Sequence, residues 1–358
     1  MVGRVHLRPT TDLPMTRDLY LAPVPDSAGA PGSFHRVHVL ARLDGAVTRL
    51  TLPADIVVEW ADDQGLAGTA DLLAAIVRPR GPFAGLALDR PRLMGVVNVT
   101  PDSFSDGGDL ASPAAAIAHG LALRDAGADI LDVGGESTRP GANPVSIDEE
   151  LARVLPVVSG LAAAGACVSI DTRNAAVMQA ALEAGARIVN DITALTGDPQ
   201  ALAVVAARRC PVVLMHMLGE PRTMQADPRY GHVTCDVFDH LEGQVAACRA
   251  AGLAVDDIAI DPGIGFGKTV AHNTTLLRDA GFFLGLGGPV LYGVSRKTFI
   301  GKLSRGEAPK ERVAGSIAAG LAAVARGAHI LRVHDVAETA QALAVWSAIG
   351  ASEPDAAS

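Results

Sequence analysis

Residues 93–108 read LMGVVNVTPDSFSDGG, an apolar run that changes abruptly into a polar loop. The run has the length and the β-branched content of a buried strand. Beyond Val99 the segment offers almost nothing to bury, so packing alone does not account for its hydroxyls, acids and glycines. The stretch therefore predicts a function at the end of this strand, where Asn98 stands.

The same transition recurs along the chain from about residue 92 onward. Short apolar runs alternate with longer Ala-rich segments that have the periodicity of a helix. Several of these predicted helices begin after Ser, Thr or Asn and end at Gly, which are common helix-capping residues. The eight candidate strands are LMGVVN, DILDV, CVSID, RIVND, PVVLMH, DIAID, PVLYGVS and HILRVH. This number and order of strand–helix units predict an α/β protein with a (β/α)8 TIM barrel, and a doubly wound open sheet is the alternative.

The first part of the chain lacks this regular alternation of strands and helices. Residues 1–88 predict a small N-terminal α/β extension, and residues 89–350 form the predicted barrel. Within the extension, RVHVLARLDG and RLTLPADIVVEW have the pattern of short strands, and GTADLLAAIV has that of a helix. The tail 351–358 is predicted to be disordered.

Composition narrows the class of protein. A formal net charge of −9 and the absence of a long Lys/Arg run argue against a nucleic-acid partner. No apolar stretch predicts a membrane span, and the first residues lack the apolar core of a secretory signal. The four cysteines form no CxxC motif and so predict buried thiols rather than a zinc site or a disulfide scaffold. We expect a cytoplasmic protein that acts on small molecules.

A polar residue closes every predicted strand. In a parallel barrel the C-terminal ends of all strands lie on one face, where the connecting loops build the active site. Any single polar residue at such a position could be a turn or cap residue, but eight of them predict a shared site. They are Asn98, Asp132, Asp171, Asn190 with Asp191, His216, Asp261, Ser295 with Lys297, and Arg332 with His334.

The residue types indicate two kinds of ligand group. Asp171, Asn190 and Asp261 suit a flat heterocycle with several N–H donors, because an ionised carboxylate only accepts hydrogen bonds. Lys297 supplies a compact cation for a ring carbonyl or nitrogen. The sequence therefore predicts a ring site at the barrel mouth.

A second set of residues suits an anion. Arg139, Arg332 and His334 can bind a phosphate or a pyrophosphate. The polar loops TPDSFSDGG (100–108) and STRPG (137–141) are typical of segments that close over a substrate, although solvated turns would look the same.

The loop DPGIGFGKT (261–269) resembles a phosphate-binding glycine loop only at first sight. Its spacing fits neither GxGxxG nor GxxxxGK[ST]. We expect its glycines to permit a tight backbone turn beside the ligand, with Phe266 lining the ring pocket. His216 is predicted to be a structural histidine rather than a general base.

Nine motifs resemble those of the dihydropteroate synthase family, the folate-pathway enzymes that sulfonamides inhibit. They run in order from about residue 92 to 347 and leave residues 1–88 outside the resemblance. The motifs are VVNVTPDSFSDGG, ILDVGGESTRPGA, SIDT, VNDI, LMHMLGEPRTMQ, DPGIGFGKTVAHN, GVSRKTFIG, ERVAGS and LRVHDV.

The resemblance implies that 7,8-dihydropterin-6-ylmethyl diphosphate is joined to 4-aminobenzoate, giving 7,8-dihydropteroate and pyrophosphate. The implied pterin-binding residues are Asp171, Asn190, Ile192, Met215, Asp261, Phe266 and Lys297. The implied residues of the anion site and of the closing loops are Thr100, Pro101, Phe104, Thr138, Arg139, Pro140, Arg332 and His334. Catalytic roles are implied for Asp171, Lys297, Arg139, Arg332 and His334, and Asn98 matches the residue that reaches Mg²⁺ on the diphosphate.

The resemblance also favours a homodimer formed through the outer helices. Two other functions compete with the synthase. One is a barrel that transfers a methyl group from a methylated folate to a corrinoid protein, although such a barrel has no need of STRPG, GVSRK or the anion site. The other is a non-catalytic paralogue that binds pterin, for which lost loop or anion-site residues are expected.

Overall fold

The computed structural model describes residues 17–25, 34–99, 112–137 and 145–350. Its N-terminal part is an antiparallel sheet in the order β1 (Leu19–Val24), β2 (Arg36–Leu43) and β3 (Ala46–Pro53). Two helices follow, α1 (Val57–Asp63) and α2 (Thr69–Val77). The predicted tail 351–358 lies outside the described residues.

One predicted strand of this N-terminal part is wrong in its second half. The segment RLTLPADIVVEW is a strand only as far as Pro53, and its last residues belong to α1. The β-branched residues favour a strand locally. The helix forms instead because Val57 and Ala61, one turn apart, both become buried in the core.

Eight parallel strands form the predicted barrel, which confirms the fold class. They are β4 (Arg92–Asn98), β5 (Ile130–Gly134), β6 (Val168–Asp171), β7 (Ile188–Asp191), β8 (Val212–Met215), β9 (Ile258–Asp261), β10 (Leu291–Tyr292) and β11 (Ile330–Val333). The sheet order is β10-β11-β4-β5-β6-β7-β8-β9. A parallel bridge between Ile260 and Val290 joins its two edges and closes the barrel.

Helices surround the strands. They are α3 (Pro113–Asp125), α4 (Ile147–Ala163), α5 (Ala175–Glu183), α6 (Ala201–Arg208), α7 (Val233–Ala250), α8 (Val270–Arg278), α9 (Thr298–Leu303), α10 (Val313–Val324) and α11 (Val336–Gly350). Predicted caps are present: the Ser112 side chain accepts from the amide of Ala115, and Ser146 accepts from that of Glu149. Among the described residues, no helix is both long enough and apolar enough to cross a membrane.

The N-terminal sheet packs on α7 and on the 3-10 helix Ala280–Leu286, and its core is continuous with that of the barrel. The Tyr20 hydroxyl donates to the carboxylate of Asp239 in α7, with Oη–O distances of 2.7 and 2.9 Å. Arg42 donates to the same carboxylate at 2.9 Å. The division of the chain at residue 88 stays a prediction.

A hairpin closes the N-terminal end of the barrel. Phe83 and Leu86 exchange backbone hydrogen bonds across a turn in which Ala84 and Gly85 have positive φ angles of 52° and 79°. The Phe83 side chain is 0% exposed. It belongs to a cluster that takes one residue from each barrel strand or from just before it: Met94, Ile130, Cys167, Ile188, Val213, Ala259, Leu291 and Ile330. The Pro/Gly-rich segment before β4 therefore fills the lower barrel.

Candidate active site

A pocket lies at the opposite, C-terminal end of the strands. Its lining residues are Asp171, Asn190, Ile192, Met215, Asp261, Ile264, Phe266, Gly293, Lys297 and Arg332. All seven residues that the sequence predicts for the pterin are among them. Adjacent strands place them side by side, since Asp171 pairs with Asn190 and Met215 pairs with Asp261 in the strand register. Their contacts with a pterin stay a prediction.

One arginine joins two carboxylates beneath the pocket. Arg332 donates through Nε to Asp132 Oδ2 at 2.6 Å and through Nη2 to Asp171 Oδ2 at 2.7 Å. Asn190 Nδ2 donates to the same Asp132 oxygen at 3.0 Å, which leaves the Asn190 amide oxygen to accept from a ligand. Asp132 is fully buried. It was predicted only as a strand-end residue, but it orients both Arg332 and Asn190.

Burial shifts two of the pocket acids, Asp171 and Asp261, toward protonation. Burial raises the pKa of Asp171 to about 7, Arg332 opposes that rise, and the Asp132 charge adds to it. Burial also raises the pKa of Asp261, although the amide of Gly263, which donates to Asp261 Oδ1 at 2.8 Å, acts against it. Asp171 can therefore change charge near neutral pH.

Lys297 forms the cationic side of the pocket. Its Nζ atom lies 4.1 Å from the centre of the Phe266 ring, a cation–π contact. Burial lowers the pKa of Lys297 to about 8, Arg332 lowers it further, and Asp261 and Asp171 act in the opposite direction. The Lys297 amine thus contacts an aromatic face, and the charges of Asp261 and Asp171 favour its protonated form.

The glycine loop after β9 turns tightly, as predicted. Gly263, Gly265 and Gly267 have φ angles of 71°, 85° and 61°, which side chains disfavour. A Cβ atom on Gly263 would lie 1.9 Å from the carbonyl oxygen of His216. Phe266 is among the residues that line the pocket, and its contact with a ring stays a prediction.

His216 does not line the pocket, and its structural role stays a prediction. It is buried behind the pocket lining, and its Nδ1 atom lies 2.9 Å from Lys268 Nζ. Lys268 was not predicted as a site residue, although it directly follows a glycine turn in the sequence. Asp191 has the role of a turn residue, since its carboxylate accepts from the amides of Thr193 and Leu195.

The predicted anion-site and loop residues are described only in part. His334 lies beside Ser295, with 3.0 Å between His334 Nδ1 and Ser295 Oγ. Arg332 lines the pocket, where both of its described contacts are carboxylates. Thr100, Pro101, Phe104, Thr138, Arg139 and Pro140 lie outside the described residues.

Asn98, the predicted metal ligand, ends β4 and pairs with Gly134, which in turn pairs with Asp171. It therefore lies at the level of the pocket. The described residues include no group of three or more His, Cys, Asp or Glu side chains that could hold a metal ion.

The fold and the site define a pterin-binding enzyme built on a (β/α)8 barrel, and a family model described as "Pterin binding enzyme" matches residues 94–334. Within that class, the chain belongs to the dihydropteroate synthase family. The dihydropteroate synthase of Neisseria meningitidis serogroup C is 48% identical over 268 residues, which cover 74% of this chain and 95% of the relative. That of Escherichia coli K12 is 47% identical over 264 residues, covering 74% and 93%.

Solved structures agree with these relatives. The dihydropteroate synthase of Xanthomonas albilineans with 4-aminobenzoic acid has a TM-score of 0.71 at 52% identity, covering 76% of this chain and 99% of that one. The Burkholderia cenocepacia enzyme complexed with 7,8-dihydropteroate has a TM-score of 0.67 at 45% identity, covering 74% and 93%. The predicted family, barrel fold and transferase activity of a dihydropteroate synthase are confirmed.

Proposed function

We propose that this protein condenses 7,8-dihydropterin-6-ylmethyl diphosphate with 4-aminobenzoate, producing 7,8-dihydropteroate and pyrophosphate in folate biosynthesis. The observation that carries the proposal is the convergence of Asp171, Asn190, Asp261 and Lys297 on one pocket at the C-terminal mouth of the barrel. Relatives and solved structures of this family support it.

The pocket has the right groups for a pterin ring. The Asp261 carboxylate and the Asn190 amide oxygen accept from ring N–H groups, while Lys297 donates to the ring carbonyl or a ring nitrogen. Phe266 and Met215 provide the apolar walls. Because Asn190 is fixed by Asp132, its oxygen does not have to reorient when the ring binds.

The reaction breaks the C–O bond between the pterin methylene group and the diphosphate, and it forms a C–N bond to the aminobenzoate. As diphosphate leaves, positive charge develops on the methylene group and spreads into the ring. An ionised Asp171 beside the ring stabilises that charge. The aromatic amine is already a neutral nucleophile at pH 7 and loses its proton to water, so no general base is required.

Mg²⁺ is the expected cofactor. Asn98 fits it, because an amide oxygen is a hard ligand and the strand register places this residue level with Asp171. Mg²⁺ is commonly held by few protein ligands together with substrate phosphates and water, so no acid cluster is required. When bound, it would neutralise negative charge on the diphosphate.

The remaining anion-site roles are also part of the proposal. His334, oriented by Ser295, and the N–H groups of Arg332 that do not contact Asp132 or Asp171 would bind the diphosphate. The loops that contain Thr100, Pro101, Phe104, Thr138, Arg139 and Pro140 would close over the diphosphate and the aminobenzoate.

We further propose a cytoplasmic homodimer that binds no nucleic acid. The net charge of −9 opposes nucleic-acid binding. The exposed apolar residues Val345, Trp346 and Ile349 of α11 support a contact through the outer helices. Sedimentation of the purified protein tests the dimer, and a monomer at micromolar concentration would contradict it.

The deciding experiment is pyrophosphate release by the purified protein with Mg²⁺ and the dihydropterin diphosphate, with and without 4-aminobenzoate. Release that depends on aminobenzoate and yields dihydropteroate is expected. Pterin binding without turnover would favour the non-catalytic paralogue. Methyl transfer from a methylated folate to a corrinoid protein would favour the methyltransferase.

A further inference from the structure

Lys268 is a buried lysine that the proposed reaction does not use, and burial lowers the pKa of its amine to about 7. It is 3% exposed and does not line the pocket. Its Nζ atom lies 2.9 Å from His216 Nδ1, and it donates to the carbonyl oxygens of Phe266 at 3.0 Å and of His216 at 3.3 Å. The two carbonyl oxygens accept from the lysine amine, and the hydrogen bond with His216 Nδ1 is its third contact.

These contacts join two separate parts of the site. His216 directly follows β8, whereas Phe266 and Lys268 lie in the glycine loop that follows β9. The loop also passes very close to β8, as shown by the 1.9 Å between a Cβ atom on Gly263 and the His216 carbonyl oxygen. Lys268 is therefore a cross-link between the loop and the neighbouring strand end.

The loop in turn contacts the pterin-binding residues. The Phe266 ring lies 4.1 Å from Lys297 Nζ, and a Cβ atom on Gly265 would lie 3.2 Å from Lys297 Cδ. The Gly263 amide donates to Asp261 Oδ1 at 2.8 Å. A shift of this loop would consequently displace the aromatic wall and both charged groups that face the ring.

We propose that Lys268 is a positioning residue: its ammonium holds the glycine loop against the end of β8 and so places Phe266, Lys297 and Asp261 for the pterin. The inference rests on the proposed pterin site. Without the ammonium, the carbonyl oxygens of His216 and Phe266 lose a buried donor, and the loop relaxes away from β8. Pterin binding should suffer more than aminobenzoate binding, because the loop faces the ring.

The test is Lys268→Met, which keeps the length of the apolar stem and removes the donors. The KM for the dihydropterin diphosphate should rise by about tenfold or more, while that for 4-aminobenzoate changes by less than about twofold. Calorimetry with a dihydropterin that lacks the diphosphate should show the same loss. Lys302→Met, at an exposed lysine of α9, is the matched control and should behave as the unaltered protein.

Two variants of His216 test the same contact from its other side. His216→Asn retains a side-chain acceptor close to the position of Nδ1, whereas His216→Phe retains the ring that packs against His240 but no acceptor. We expect His216→Asn to bind the dihydropterin nearly normally and His216→Phe to lose affinity as Lys268→Met does. This pair decides the question if Lys268→Met does not fold.

A folded Lys268→Met variant with unchanged pterin KM would overturn the inference, as would equal losses in the two His216 variants. If the unaltered protein bound no dihydropterin, the proposed function itself would fail. Normal binding by both the unaltered protein and Lys268→Met would remove only the positioning role.

Discussion

At its N-terminal end the barrel is closed by the apolar side chain of Phe83, whereas at its C-terminal end the strands finish on Asp171, Asn190 and Asp261. The same strands supply both layers. The lower layer is a cluster of apolar side chains, whereas the upper layer buries the carboxyl groups of Asp171 and Asp261 beside the pocket. The N-terminal end of the barrel therefore contributes to stability, whereas its C-terminal end carries the candidate active site.

The largest expected effect is on stability, at the closed end. Phe83→Ala should lower the free energy of unfolding by about 3–5 kcal/mol, because it leaves a cavity beneath all the strands. Denaturant unfolding measures it, and Phe83→Leu should cost less because it refills part of the volume. The kinetic constants below the unfolding transition should stay close to normal. A changed KM in the folded Phe83→Ala variant would contradict this division of roles between the two ends of the barrel.

Asp171→Asn, at the C-terminal end of the barrel, should reduce turnover without reducing stability. Turnover should fall by about 100-fold or more, because the variant lacks the charge that stabilises the developing cation. A carboxyl group whose pKa is raised on folding contributes stability at low pH that is lost as pH rises through about 7. Asn cannot ionise, so at pH 8 the variant should melt no lower than the unaltered protein. Lower stability with normal turnover would make Asp171 a structural residue.

Asp261→Asn should weaken binding of a dihydropterin by about 1–3 kcal/mol, because a buried ring N–H loses its acceptor. Isothermal calorimetry measures the change. Asp125→Asn, on the exposed side of α3, is the matched control. Equal affinity in the Asp261 variant and the control would remove Asp261 from the ring site.

The pH dependence should show the smallest effect. Because burial raises the pKa of Asp171 to about 7, kcat/KM should fall by about tenfold for each pH unit below that value as the carboxylate becomes protonated. Asp171→Asn should lack this acidic limb. If the limb persisted in the variant, another group or the substrate would be its source.

The barrel and the polar residues that converge at its mouth could be predicted from the sequence because both follow from local patterns, whereas the assignment of the ring site to a pterin was implied by the family resemblance. Each strand is an apolar run with a polar residue at its C-terminal end or within about three residues of it, and the parallel order of the strands brings those ends together. The missed features depend on distant partners. Phe83 stands in a Pro/Gly-rich segment whose buried neighbours come from all of the strands.

The other features that were not predicted also depend on residues that are far apart in the sequence. Lys268 is recognisable as a cross-link only when the carbonyl oxygens of His216 and Phe266 are seen around it. Asp132 resembles the other strand-end acids until Arg332 is found bonded to it. β1, whose sequence LYLAPV contains a proline, is stabilised by pairing with β2 rather than by its own pattern.

The hairpin at Phe83 also has a consequence for the order in which the protein forms on the ribosome. Phe83 emerges before any barrel strand, yet its burial needs Ile330 of β11, which is among the last barrel residues to be translated. Contacts that span most of a chain are slow to form, since a long loop must close first. The nascent protein therefore cannot complete the burial of this aromatic side chain until nearly all of the barrel has been synthesised.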